Sequence, residues 1–92
     1  MTKINGEIRH TFTGVERSPS VFATRATKTM TLKGTDAFTV AGEISYDDGV
    51  TWTPIEEFTG TAVKNFEWFG RSALISFNCT VHTSDDVELI FA

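Results

Sequence analysis

Residues 73–82 of this chain read Ala73-Leu74-Ile75-Ser76-Phe77-Asn78-Cys79-Thr80-Val81-His82. From Ile75 onward, apolar side chains alternate with polar ones along this stretch. A period of two is typical of a β-strand that buries one face. The stretch therefore predicts a long strand, with Cys79 on its core-facing side as an inert buried thiol.

The same alternation recurs elsewhere in the chain, and clusters of Gly, Asp, Ser and Thr separate the runs. The alternating apolar positions are Met30 and Leu32, then Phe38, Val40, Ile44 and Tyr46, then Val87, Leu89 and Phe91. Turn signals lie at residues 33–36, 47–49, 59–61, 70–72 and 83–86. No helical period competes with this pattern. Six to seven short strands predict an all-β fold, a single antiparallel β-sandwich that is either jelly-roll-like or immunoglobulin-like.

The length of 92 residues corresponds to one small domain with a thin core. We expect residues 21–92 to form the sandwich. Residues 1–20 contain few large apolar side chains and end in a break that includes Pro19. They are expected to form either an N-terminal arm, ordered on a partner, or an edge strand.

Composition and charge exclude several classes of protein. No apolar run approaches the roughly 18 residues of a membrane-spanning helix, and no secretory signal is expected at the N-terminus. Cys79 is the only cysteine, so an internal disulfide is ruled out and a reducing cytoplasm is favoured. The net charge is −4 and the bases are scattered, which argues against nucleic-acid binding.

The charge is unevenly placed along the chain. Residues 1–33 carry six bases and two acids, whereas residues 34–92 carry two bases and ten acids. One interpretation is a solvated surface with local fluctuation. The other is that the basic segment docks on the acidic surface of a neighbouring copy or a partner, which makes Arg9 and Arg17 candidate contact residues.

The most specific local motif is Ser45-Tyr46-Asp47-Asp48-Gly49-Val50-Thr51-Trp52. It resembles the Asp-box, a hairpin turn known from sialidases and from many unrelated β proteins. Asp47 is suited to accept hydrogen bonds from turn amides, and Gly49 to adopt a positive φ. We expect Trp52 to be well buried beneath the turn. One copy cannot build a propeller, so Ser45, Asp47, Gly49 and Trp52 are interpreted as a structural turn, with sugar contact as the alternative.

No other residues form a catalytic pattern. Adjacent acids occur at 47–48, 56–57 and 85–86, but neighbouring strand residues point to opposite faces, so no doublet is a catalytic pair. A calcium site at Asp47 and Asp48 is an alternative that lacks the ligand count of a dedicated loop. His10 and His82 lack metal-ligand spacing. We therefore expect no enzyme activity, no cofactor and no metal.

The segment Phe66-Glu67-Trp68-Phe69 places aromatic residues on both faces of one predicted strand. A thin sandwich cannot easily bury both sets. Either Phe69 folds back over the core at a strand end, or another subunit covers one face of the segment. Phe66, Trp68 and Phe69 are therefore candidate interface residues.

From about Thr27 to Ala92, the strand layout around Ser45–Trp52 and the strand containing Asn78-Cys79-Thr80 resemble small β-sandwich virion proteins of tailed phages and prophages. The resemblance implies a non-enzymatic capsid decoration (cement) protein, or a part of a head fibre or tail. It also implies a virion location after assembly in the host cytoplasm. The thin core, the aromatics of residues 66–69 and the uneven charge predict a homo-oligomer, and the resemblance implies a trimer on capsid three-fold positions. No membrane partner is expected. The partner would be the major capsid protein or another virion protein.

The alternative function is a glycan- or receptor-binding module of a phage tail or fibre. A third interpretation, an accessory domain of a secreted enzyme, is disfavoured by the expected lack of a signal peptide.

Overall fold

The computed structural model describes residues 7–23, 27–67 and 73–92, which form nine β-strands and no helix. None of the described segments is therefore a helix that could cross a membrane. The strands are β1 (Ile8–Phe12), β2 (Glu16–Arg17), β3 (Val21–Ala23), β4 (Thr27–Lys33), β5 (Phe38–Ser45), β6 (Thr53–Phe58), β7 (Ala62–Glu67), β8 (Ala73–His82) and β9 (Val87–Phe91).

The all-β prediction is confirmed, but six to seven strands was too few. β2 and β3 have only two and three residues, which is too short for a period of two to stand out in the sequence. They are held by pairing with β8 rather than by their own pattern.

The strands form two antiparallel sheets. The first sheet has the order β1-β9-β4-β7, and the second has the order β2-β8-β5-β6, with β3 also paired to β8. β2 and β3 both pair with β8, one after the other along its length. The pairing is interrupted around Pro19, which has no amide hydrogen to donate. Counted as one strand, they give eight strands in the order of a jelly roll. Of the two predicted sandwich types, the strand order selects the jelly roll.

The core lies between the sheets and is built largely from phenylalanine. Phe77 of β8 lies 6.1 Å from Phe66 of β7 and 5.3 Å from Phe91 of β9, measured between ring centroids. These edge-to-face and tilted contacts join the two sheets across the centre of the molecule. The other fully buried large side chains include Phe12, Ile8, Met30, Leu32, Ile75, Leu89, Val21 and Val40.

Along β5, the side chains predicted to point into the core do so only as far as Ile44. Tyr46 is 55% exposed, whereas Glu43 and Ser45, predicted on the opposite face, are buried. Tyr46 is exposed because β5 ends at Ser45 and the chain has already entered the turn. Glu43 and Ser45 are buried because the outer face of the second sheet is itself covered.

Residues 8–20 belong to the sandwich. β1 is an edge strand paired with β9, and its side chains Ile8 and Phe12 are fully buried. Of the two alternatives for residues 1–20, the edge strand describes residues 8–12, and a separate arm does not describe residues 8–20, so the boundary at residue 20 does not separate them from the core. Residues 1–6 lie outside the described part of the chain.

Two side-chain contacts lie at the lateral edges of the sandwich, between the two sheets. On one side Lys64 Nζ of β7 lies 2.7 Å from Glu56 Oε1 of β6. On the other side His10 Nε2 of β1 lies 2.6 Å from Glu16 Oε2 of β2. All four residues pair in register with core-facing residues of the neighbouring strand, so they point inward from edge strands.

If β1 is part of the core, shortening Ile8 to alanine destabilises the whole domain. We expect Ile8→Ala to lower the free energy of unfolding by about 2–5 kcal/mol, because it removes buried methyl groups and leaves a cavity. The neighbouring exposed Arg9→Ala is the control, with an expected change within about 0.5 kcal/mol. Urea unfolding measures both, and equal melting of the two variants would contradict the placement of β1.

Candidate functional site

The candidate site is the turn from Ser45 to Trp52, which joins β5 to β6. Ser45 is buried, and its hydroxyl donates to Asp47 Oδ1 at 2.7 Å while accepting from the Gly49 amide at 2.9 Å. The Thr51 amide donates to Asp47 Oδ1 at 2.8 Å. One carboxylate oxygen and one hydroxyl therefore organise the whole turn.

The backbone of the turn requires left-handed conformations at two consecutive residues. Asp48 has a φ of 62° and Gly49 a φ of 89°. Aspartate tolerates this region better than most residues, and glycine adopts it without steric cost. A side chain at residue 49 would also come within 3.7 Å of the Trp52 ring and 3.8 Å of Leu74. These are ordinary van der Waals distances, so the positive φ rather than crowding favours glycine at this position.

The hydrogen bonds of the turn stabilise the ionised form of Asp47. The Thr51 amide and then the Ser45 hydroxyl lower the pKa of Asp47 from 3.8 to about 2. This carboxylate is thus ionised under ordinary conditions, and its hydrogen-bonded oxygen serves the turn.

Trp52 packs beneath the turn as expected from the motif, but it is half-buried rather than well buried. The guanidinium carbon of Arg17 lies 4.6 Å from the centre of the indole ring, a cation–π contact. The ring is exposed further than expected because it lies on the outer face of the second sheet instead of inside the sandwich. Because Arg17 covers part of the Trp52 ring, little of that ring is left to stack against a sugar.

Arg17 also neutralises a buried carboxylate. Its Nη2 lies 2.6 Å from Glu43 Oε1, and the Glu43 side chain is only 11% exposed. The Arg17 guanidinium and the Glu43 carboxylate are close enough to form an ion pair, but their geometry does not give Glu43 Oε1 a hydrogen bond. The alternating pattern of β5 had placed Glu43 on a solvated face. Nothing in the local sequence indicates that β2 brings Arg17 above it.

Beside this ion pair, two serines attach the chain after β2 to β8. Ser18 and Ser76 are both buried; the Ser76 hydroxyl donates to the Ser18 carbonyl at 2.9 Å, and the Phe77 amide donates to the Ser18 hydroxyl at 3.0 Å. Sequence analysis did not identify either residue. Small hydroxyl side chains satisfy the backbone here where the strand is interrupted.

The three candidate interface residues that the structure describes, Phe66, Arg9 and Arg17, do not come together as one surface. Phe66 lies in the core, 6% exposed, which contradicts its assignment to an interface. Trp68 and Phe69 lie outside the described residues. Arg9 is exposed beside Glu7, with Nε 3.3 Å from Oε1, and Arg17 is paired with Glu43. Two bases of the N-terminal third are therefore paired with acids of their own chain.

Residues often associated with chemistry are also used within the fold. The Cys79 thiol is buried and donates to the Val81 carbonyl at 3.3 Å; burial and the charge of Glu16 raise its pKa. His82 Nε2 lies 3.2 Å from the Phe12 carbonyl oxygen. Within residues 7–23, 27–67 and 73–92, no three His, Cys, Asp or Glu side chains are grouped as a metal site.

Acidic residues at the opposite end of the sandwich join two loops. The Thr35 hydroxyl donates to Asp85, and the Ser84 hydroxyl donates to Asp36. These reciprocal bonds connect the β4–β5 loop to the β8–β9 loop, so two of the acids act in loop attachment.

Comparison with known proteins gives no relative. The chain matches no protein-family model, no curated protein and no solved structure. Its function has to be inferred from its own residues and their geometry.

The Asp47 hydrogen bonds predict a specific pH dependence of stability. Because folding lowers the pKa of Asp47 from 3.8 to about 2, its contribution is fully present above the unfolded value and is lost as the pH falls through about 2. We expect an NMR titration of the Asp47 carboxyl to have its midpoint near 2. Between pH 4 and pH 2, D47N should lose less stability than the wild type. A midpoint at the ordinary value would contradict this.

From the Arg17–Glu43 pair we expect that removing Arg17 alone lowers the free energy of unfolding more than replacing both residues does. We expect Arg17→Ala to cost about 3 kcal/mol of unfolding free energy, because it leaves the Glu43 carboxylate buried without its countercharge. The double variant R17M/E43M should cost less than R17A, since apolar side chains need no partner. Urea unfolding of both variants tests this, with R9A as the exposed-arginine control. A double variant less stable than R17A would show that the charge pair itself supplies the stability.

Proposed function

We propose that this protein is a non-enzymatic virion structural protein of a tailed phage or prophage, a capsid decoration protein that binds and stabilises the head. The observation that carries the proposal is the use of the Ser45–Trp52 motif. Its hydroxyl and its hydrogen-bonded carboxylate oxygen organise the turn, and its indole is covered by Arg17. The motif that most suggests chemistry is employed as a scaffold.

The same scaffold holds apolar side chains out to solvent. Val50 is 82% exposed and Tyr46 is 55% exposed, and both lie on the hydrogen-bonded turn. A turn that is already ordered loses little conformational entropy when it contacts a partner. This supports a docking tip at this end of the sandwich, with the apolar Val50 at its centre.

The architecture is compatible with the proposal. Jelly rolls occur in viral capsid and lectin domains. Fold alone does not assign function, so the strand order supports both a capsid role and the glycan-binding alternative. The virion assignment rests on the resemblance of the strand layout and turn to phage β-sandwich proteins.

The second candidate is a glycan- or receptor-binding module of a phage tail or fibre. The exposure of Tyr46 beside the turn favours it, because tyrosine rings commonly contact ligands through one face and one hydroxyl. The Arg17 contact disfavours Trp52 as the sugar-stacking residue.

Binding to heads tests the proposed function. We expect the full chain to co-sediment with heads assembled from a major capsid gene that neighbours its own, and to raise their thermal stability, without binding a bacterial polysaccharide array. Polysaccharide binding together with no head binding would instead establish the tail-module alternative.

A pair of valine variants tests the docking tip. Val50→Asp should weaken head binding at least about ten-fold, because a charge at the centre of an apolar contact must be desolvated. Val15→Asp is the matched control, since Val15 is 68% exposed in the loop after β1 at the opposite end. Equal effects of V50D and V15D on binding would contradict the tip.

A further inference from the structure

The described surface leaves one broad face of the sandwich available for association. Addition of a strand is discouraged along each edge strand that the structure describes. Lys64, Glu56, His10 and Glu16 point inward from edge strands, β6 contains Pro54, and β2 and β3 are very short. Inward charges, proline and short strands all prevent edge pairing.

The outer faces of the two sheets differ in how far other residues of the chain cover them. On the second sheet, the turn and Arg17 cover Leu74, Ser45 and Glu43, which are all buried. On the first sheet, the outward residues have no such layer above them in the described part of the chain. Ile90 is 37% exposed there and Val63 is 69% exposed.

The strand registers give the map of this uncovered face. The middle row runs across the four strands as Arg9, Ile90, Thr31 and Val63. One neighbouring row contains Thr11, Glu88 and Lys33, and the other contains Thr29 hydrogen-bonded to Asn65. The centre of the face is thus apolar and threonine-rich, with opposite charges side by side on the two central strands.

This charge pattern is self-complementary. Lys33 of β4 and Glu88 of β9 are cross-strand neighbours on the two central strands. A two-fold axis parallel to these strands, lying between the faces, superimposes β4 on the β9 of a second copy. It places each lysine over the other copy's glutamate, twice in the symmetric pair. The same operation brings Ile90 opposite Thr31 and Val63 opposite Arg9.

A surface depression lies beside Arg9, where the second copy would place its Val63. The depression, of about 240 Å³, is bordered by Arg9, Thr11, Glu88 and Ile90. Among the described side chains of this face, Arg9 and Lys33 are balanced by Glu7 and Glu88, whereas the whole chain carries −4. Two acidic molecules meet with least repulsion through a neutral face.

We propose that the outer face of the first sheet is a self-association surface, which pairs two copies of this chain face to face about that two-fold axis. Four strands of five to seven residues, spaced about 4.8 Å apart, give a face of only a few hundred Å². Standard interfaces bury about 800 Å² per partner, so the pair is a weak, reversible dimer. The inference does not depend on the proposed virion role, and it yields a two-fold pair rather than the three-fold assembly that the family resemblance implies.

Charge reversal tests the pairing directly. Lys33→Glu alone and Glu88→Lys alone each place like charges opposite one another twice, and we expect each to weaken self-association about ten-fold. An equimolar mixture of K33E and E88K restores opposite charges at both contacts. The mixture should therefore associate at least as well as the wild type. Sedimentation equilibrium from micromolar to millimolar concentration measures the change from the 10.2 kDa monomer.

The matched control is Glu57→Lys, which makes the same charge change on an exposed residue of β6 in the second sheet. It should leave self-association within about two-fold of the wild type apart from the effect of net charge, which added salt removes. Circular dichroism melting verifies that every variant is folded. A wild type that stays monomeric at millimolar concentration would overturn the inference, and so would a mixture that associates no better than K33E or E88K alone. Head binding by a strictly monomeric chain would leave the proposed function standing, which separates the two failures.

Discussion

The first half of strand β8, residues 73–77, is buried on both faces, and the rest of the structure depends on this constraint. Its inward side chains Ile75 and Phe77 enter the core, while Leu74 and Ser76 on the outward side are also buried. A two-layer sandwich covers only the inward side. The outward side is covered by the chain after β2 and by the Ser45–Trp52 turn, so the domain has a partial third layer on its second sheet.

This third layer explains why charged groups occur where a simple sandwich would have none. Glu43 lies on β5 next to Ser76 of β8, beneath the cover, where an unpaired carboxylate would be costly. Arg17 supplies the countercharge and at the same time lies over Trp52. One guanidinium therefore connects β2, β5 and the turn. The short strand β2, with only two residues, is retained by this contact as much as by its hydrogen bonds to β8.

The two sheets consequently present different surfaces to other molecules. The outer face of the second sheet is occupied by the chain's own residues, and only the tip of the turn projects from it through Val50 and Tyr46. The outer face of the first sheet carries threonine and apolar side chains beside Arg9, Lys33 and Glu88, and none of the described residues covers it. The edges carry inward-pointing charges. Under the two proposals made above, partners would contact this protein through one tip and one face, and its edges would stay unpaired.

Local sequence patterns were enough to predict the strand class, most strand positions and the form of the Ser45–Trp52 turn. These features depend on side-chain alternation and on residues within eight positions of one another, such as Ser45, Asp47 and Gly49. The tertiary structure alone decided the jelly-roll order, the inclusion of β1, the burial of Phe66 and the Arg17–Glu43 pair. Each of these joins segments far apart in the chain. A period of two shows which residues share a face, but it does not show what lies against that face.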